Sequence, residues 1–208
     1  MKMPITILLF AAAACAADPA KPAAKDDKPP CCRAALDLGK QTDKSLYLLD
    51  STWTSDVGRQ IKLGALRGRP QIVAMFFTHC EYACPILVGE LKAIEGKLPP
   101  EGLGKVDFLL VSIDSKRDTP DELAAFRKKR QLIRERWTLL RGAADDVREL
   151  AALLGVNYAE DSRGQFAHTN LITLLNADGE IAFQHSGLKQ DAALLVTAIE
   201  KAARGAQR

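Results

Sequence analysis

Residues 72–85 read Ile72-Val-Ala-Met-Phe-Phe77-Thr-His-Cys80-Glu-Tyr-Ala-Cys84-Pro85. The run Ile72 to Phe77 is apolar, rich in β-branched and aromatic residues, and short, which predicts a buried strand. From Ile86 to Lys97 the apolar residues recur at helical spacing, and Pro99-Pro100 stops the run. The two cysteines therefore stand where a strand turns into a helix. Peptide dipoles at a helix N-terminus favour thiolate over thiol. Such a pair can exchange disulfides or hold a soft metal ion. The spacing of three residues between the thiols leaves that choice open.

Working outward, Gln71 to Phe77 is predicted as the first core strand. Val106 to Ile113, almost wholly apolar, is predicted as a second, as expected for a central parallel position. Thr119-Pro-Asp-Glu122 opens a helix: Thr119 is the N-cap, Pro120 takes the first helical position and Glu122 completes a capping box. Trp137 to Leu140 reads as a short strand. Asp145 to Leu154 is an amphipathic helix with Val147, Leu150, Ala151 and Leu154 on one face, stopped by Gly155. Leu171 to Leu175 and Glu180 to Gln184 flank Asn176-Ala-Asp-Gly179 and predict a hairpin. Asp191 to Ala203 is the closing helix, with Leu194, Leu195, Ala198, Ile199 and Ala202 turned inward. Ahead of all these, Ser45 to Leu49, Trp53-Thr54 and Gln60 to Leu63, turning at Asp56-Val-Gly58, predict a leading β-hairpin region. Alternating strands and helices followed by a hairpin give an α/β fold with a mixed central sheet flanked by helices. With a cysteine pair after the first core strand, this is the thioredoxin-like pattern.

The chain has 208 residues, 47% hydrophobic and 26% charged, enough for one well-buried domain plus tails. A net charge of +3 with no basic stripe interleaved with aromatics speaks against nucleic acid. The densest basic run, Arg127-Lys-Lys-Arg130, is read as a solvated helix face.

Residues 1–17 have the form of an export signal: Lys2, an apolar stretch from Ile5 to Ala14, and small residues around Ala14-Cys15-Ala16-Ala17. The apolar stretch is too short to span a bilayer. Ala12-Ala13-Ala14-Cys15 also resembles the cleavage box of bacterial lipoproteins, with Ala12 where Leu is usual. Two outcomes are open, a lipid anchor on Cys15 or a soluble exported protein in the periplasm or cell envelope. Residues 18–44 are rich in Ala, Lys, Asp and Pro at their start and read as a flexible tether. It contains Cys31-Cys32, whose disulfide would close a strained small ring. The pair reads as tail cysteines without a catalytic role, against an auxiliary metal or redox site. The folded domain is expected over residues 45–208.

Soft thiolates select Cu(I), zinc or iron–sulfur clusters. Two are too few for a closed zinc site, so a third ligand is expected. The chain has three histidines. His79 adjoins Cys80 and should point away from the pair. His168 lies just before the strand Leu171 to Leu175. If that strand runs antiparallel to the first core strand, its start lies beside the cysteines. His185 ends the partner strand of the same hairpin, so geometry alone leaves His168 and His185 both open. Asp114, at the end of the second core strand, either orients a ligand or caps the loop before the Thr119 helix. Met75 alternates within a strand and is read as core rather than as a copper thioether ligand.

Three separated motifs, in order, resemble the Sco (SenC) family: Phe77-Thr-His-Cys80-x-x-x-Cys84-Pro85, then Val111-Ser-Ile-Asp114-x-x-Arg117-Asp-Thr-Pro120, then Ala167-His168-Thr169 ahead of Asp178-Gly179. The resemblance runs from about Trp53 to the C-terminus. It implies a thioredoxin-like copper protein that helps assemble the dinuclear CuA centre of cytochrome c oxidase subunit II. It implies Cys80, Cys84 and His168 as the copper ligands, and it selects His168 over His185. Glu81-Tyr82 stand where many members have Pro-Asp, and Cys31-Cys32 is no part of the motif.

The leading expectation is therefore an exported copper metallochaperone with one copper on Cys80, Cys84 and His168. Its partners would be the CuA domain of cytochrome c oxidase subunit II and a copper donor or thiol reductant. The second expectation is a thiol–disulfide reductase in which Cys80 and Cys84 are the redox pair and His168 is dispensable. A redox sensor ranks below both, and a peroxiredoxin lower still.

Overall fold

The structure is a computed structural model that describes residues 42–100, 104–188 and 191–205. The readings of the export signal, of Cys15 and of Cys31-Cys32 fall outside these residues. Within them no helix is long and apolar enough to cross a membrane.

The strands are β1 (Trp53–Ser55), β2 (Gln60–Ile61), β3 (Gln71–Phe76), β4 (Asp107–Ser112), β5 (Trp137–Arg141), β6 (Tyr158–Glu160), β7 (Phe166–His168), β8 (Leu171–Leu175) and β9 (Ile181–Ser186). The helices are α1 (Ala83–Lys97), α2 (Pro120–Arg130), α3 (Ala144–Leu154) and α4 (Ala193–Gly205). Seven strands form one sheet in the order β2-β1-β5-β4-β3-β8-β9. β3, β4 and β5 are parallel neighbours, and β8 runs antiparallel to β3 with Ala74 opposite Ile172. The mixed sheet and thioredoxin-like arrangement read from the sequence are thus observed.

All six residues of β3 are buried, because helices cover both faces of the sheet there. Helix α1 buries its own Leu87, Val88, Leu91 and Ile94 against the sheet, and α3 buries Val147, Leu150, Ala151 and Leu154, the face the sequence predicts for it. Phe108 of β4 stacks on Trp137 of β5 with ring centroids 4.4 Å apart. Gly142 admits no side chain, since a Cβ there would sit 2.7 Å from the buried Trp53 ring.

Four local readings need correction. Leu46–Leu48 is a turn of 3-10 helix rather than a strand, capped by the Ser45 side chain, which accepts from the Tyr47 N–H. The leading hairpin is therefore β1–β2 alone. Leu194 is 70% exposed, and α4 instead buries Leu195, Ile199 and Ala203. Only Leu194 departs from the predicted face, since Leu195 and Ile199 are buried and Ala198 and Ala202 pack partly buried against the core. Arg127 is not solvated: it is buried, and its guanidinium donates to both carboxylate oxygens of buried Asp56, at 2.6 and 3.1 Å. It also donates to the carbonyls of Leu132 and Trp137. That pairing ties α2 to the loop after β1, and removing either charge would strand the other in the core. Finally, α1 begins at Ala83, ahead of Pro85, because Pro is tolerated within the first turn.

Candidate metal centre

The site sits at the carboxyl end of β3, beside the end of parallel β4, the edge where open α/β sheets place their ligands. β3 ends at Phe76, and a tight turn follows in which the Cys80 N–H donates to the Phe77 carbonyl at 3.3 Å. Helix α1 then starts with no side-chain oxygen cap. The Cys80 sulfur takes that role: it accepts the backbone N–H of Cys84 at 3.3 Å. One of the unpaired donors at the helix start is thereby satisfied by a thiolate. Cys80 thus precedes the helix, and only Cys84 lies within its first turn. The two thiols are therefore not a pair on one helical face but a cap and its capped residue. The thiols differ in exposure: Cys80 is half-buried, while Cys84 is fully buried.

His168 arrives from the other side. It ends β7, which pairs with β6 in a separate two-stranded sheet, Tyr158 opposite His168. The sequence reading missed this hairpin. Its turn signal is present, since Asp161-Ser-Arg-Gly164 places Gly164 at φ 73° between two short runs. The ring of His168 packs edge-on to Phe77, and Phe166 does the same. His168 Nε2 stands 3.9 Å from Cys84 Sγ, and Nδ1 is 3.2 Å from the Thr169 carbonyl. A carbonyl only accepts, so Nδ1 carries the proton and the Nε2 lone pair faces the thiols.

The two thiols are electrostatically unequal. A hydrogen bond from Cys84 holds Cys80 well below the usual thiol range, with help from the N–H groups of Cys84 and Tyr82. Cys84 is pushed up by the same bond to Cys80 and by burial. The reduced pair therefore holds one proton, on Cys84, and presents a thiolate at Cys80.

Asp118, which the sequence reading did not single out, fixes the loop that carries Cys80. It is fully buried and accepts from the Thr78 N–H (3.0 Å), the Thr78 hydroxyl (2.5 Å) and the Ser112 hydroxyl (2.5 Å). His79 turns towards Asp118, 3.7 Å away. Asp114 accepts from the Arg117 N–H and its guanidinium, which makes it the loop-capping residue of the two alternatives. Arg117 also donates to the Gly164 carbonyl in the β6–β7 turn and lies over the Phe166 ring. His79, Asp114 and Asp118 bring their ligand atoms within 4.8 Å of one another. Both carboxylates there are already engaged by donors. Met75 is buried core, and His185 pairs with Ile172 on the far strand of its hairpin, in a small cavity with Glu90 and Lys97.

Two sulfurs and an imidazole nitrogen are donors for a soft cation. Using zinc distances, about 2.3 Å to sulfur and about 2.0 Å to nitrogen, one ion separates the two donor atoms by roughly 3.5–3.7 Å. The observed 3.9 Å between Cys84 and His168 fits with almost no movement. The same sulfurs, half-buried Cys80 and buried Cys84, also make an attacking and a resolving thiol.

A family model described as SCO1/SenC matches residues 40–204. The SCO1 protein homolog of Bacillus subtilis is 23% identical over 141 residues, 66% of this chain and 72% of the relative. Among solved structures, Arabidopsis thaliana ScoI with copper bound superposes with a TM-score of 0.64 at 19% identity, covering 74% of this chain and 96% of that one. BsSco, described as a member of the Sco family of cytochrome c oxidase assembly proteins with a disulfide switch, gives 0.64 at 22% identity, covering 74% and 91%.

Proposed function

The chain belongs to the SCO1/SenC family, and on that premise we propose that it is an exported copper carrier that holds one copper on Cys80, Cys84 and His168. Its copper goes to the CuA centre of cytochrome c oxidase subunit II, and its other partner is a copper donor that loads it or a thiol reductant that keeps its cysteines reduced. The observation that carries this reading is the Nε2 lone pair of His168, held towards Cys84 by the bond from Nδ1–H to the Thr169 carbonyl. Copper on a family structure and oxidase assembly in another relative's description support it.

The residues divide the work. Cys80, as thiolate and half-exposed, takes the incoming ion first. Binding then displaces the proton of Cys84, because the ion must be held by sulfur anions. His168 completes the set from a separate sheet. Asp118 keeps the Cys80 loop from collapsing when the ion leaves. Release follows the reverse order, with the exposed flank at Cys80 open to a recipient's ligands. Anaerobic Cu(I) titration of the reduced protein tests this: one equivalent is expected. A His168→Ala variant with undiminished affinity would sink the three-donor model.

One observation favours a second reading, thiol–disulfide exchange. The unequal thiols are an attacking and a resolving pair, and that chemistry does not use His168. Disulfide exchange that survives His168→Ala alongside negligible copper binding by the unmodified protein would favour it.

A further inference from the structure

A groove of about 480 Å³ leads away from Cys80 between the β3–α1 loop and helix α2. Thr78, His79 and Cys80 form one wall, and Glu122, Phe126 and Lys129 the other. Its charges are sorted. Glu122 lies in the first turn of α2 and Lys129 in the last, so they stand about 10 Å apart along the helix axis. Glu81 joins the lining from the cysteine loop, and Arg130 from the end of α2. Among the described residues none of Glu81, Glu122, Lys129 and Arg130 makes an ion pair. The Arg130 guanidinium lies over the Phe126 ring, 5.5 Å from its centroid. Its Nε is buried and has no hydrogen-bond partner among the described residues. Beside the groove mouth Tyr82, between the two cysteines, is 76% exposed. An exposed aromatic next to unpaired charges is the composition of a protein-recognition surface rather than of a solvated helix face.

We propose that this groove seats an extended segment of the protein with which Cys80 exchanges copper or a disulfide, with a cysteine at Cys80 and a carboxylate about three residues away over Lys129 and Arg130. Three residues of extended chain span about 10 Å, the length of the α2 wall. The unpaired cations supply the attraction at the far end, and Glu81 and Glu122 repel an acid placed beside the cysteine, which fixes the direction of the segment. The inference deepens the carrier reading and rests on it only in taking Cys80 as the exchanging thiol.

The test uses protein in which Cys15, Cys31, Cys32 and Cys84 are replaced by Ser, blocked at Cys80 as the mixed disulfide with neutral 2-thiopyridine. A peptide thiolate attacks Cys80 Sγ, the old sulfur–sulfur bond breaks, and its electron pair leaves on 2-thiopyridone, which is followed by absorbance. Two octapeptides are compared, with glutamate or with lysine three residues from the cysteine. The glutamate peptide should react about fivefold faster, and Lys129→Glu, alone or with Arg130→Glu, should erase or invert that preference. A preference that is absent, or unmoved by charge reversal, overturns the proposal. So does an equal slowing of neutral mercaptoethanol, which would place the effect in Cys80 itself. Copper stoichiometry of the same Lys129 variants with Cys84 intact is read separately. Loss of copper binding by the unmodified protein with peptide selectivity intact removes the carrier reading and leaves the groove.

Discussion

The two cysteines and the histidine belong to regions built very differently. Cys80 and Cys84 follow β3, whose six residues are all buried, and Cys84 is fully buried in the first turn of α1. His168 hangs on β6–β7, two strands of three residues with no fully buried side chain. That hairpin is held by a few contacts: Arg117 to the Gly164 carbonyl, Lys116 to Glu160, Phe166 on Phe77, and the Thr169 N–H to the Asn157 carbonyl. An isolated two-stranded hairpin is marginal in water. The thiols are therefore anchored in the sheet core, whereas the proposed third metal donor is on a part that can yield. The lesson is that the proposed metal site and the alternative disulfide chemistry would share sulfurs but not supports, so substitutions should separate them.

The strongest break is Cys80→Ser, which removes the thiolate and the helix cap together. Copper binding and disulfide exchange should both fall below detection in titration and exchange assays; survival of either would mean the two functions do not share Cys80. His168→Ala comes next. Copper affinity should drop by at least about tenfold, as the loss of one donor implies, while disulfide exchange stays within about threefold. Equal losses in both assays would erase the proposed division.

Arg117→Ala tests the support rather than the donor. Losing its charged hydrogen bonds to Asp114 and Gly164 should cost about 1.5–3 kcal/mol of local stability. Copper affinity should fall by roughly tenfold, with faster amide exchange confined to residues 158–168 and little change at β3. Uniform loss of protection across the sheet would show that the hairpin is not separable. A gentler probe is pH. Because the Cys80 pKa is depressed, its thiolate is already formed below the usual thiol range near pH 8.5. Alkylation of the reduced, metal-free protein should therefore be nearly flat from about pH 6 to about pH 9. A tenfold rise per pH unit in that window would contradict the hydrogen-bonded thiolate. The smallest effect is expected from Tyr82→Ala: copper affinity within about twofold, because the exposed ring touches no donor.

Most of the sheet was legible because its strands are continuous apolar runs and its helices carry caps that act locally. Thr119 does cap α2, accepting from the Glu122 N–H, and Gly155 does end α3 in the left-handed conformation. The order of β3, β4, β8 and β9 followed from such runs and from the Asn176–Gly179 turn. The β6–β7 hairpin escaped because its strands are short and polar, with no periodic apolar pattern to mark them. The misplacement of Leu194 came from reading a stripe of five apolar residues without knowing which edge the sheet would cover. Arg127 looked solvated because its partner, Asp56, lies far away in sequence.

What the sequence determined by itself is the order of elements, the position of the thiol pair at a strand-to-helix turn, and, through its three motifs, the family. These rest on local patterns: period, caps, turns and spacing. Only the tertiary structure decided that Cys80 caps the helix while Cys84 is buried within its first turn, and that the Nε2 lone pair of His168 faces the pair. It alone decided that Asp118, not Asp114, holds the cysteine loop. Each of these depends on a hydrogen bond or burial between residues distant in sequence or on different elements. Their strength is set by how completely water is excluded, which no local pattern records.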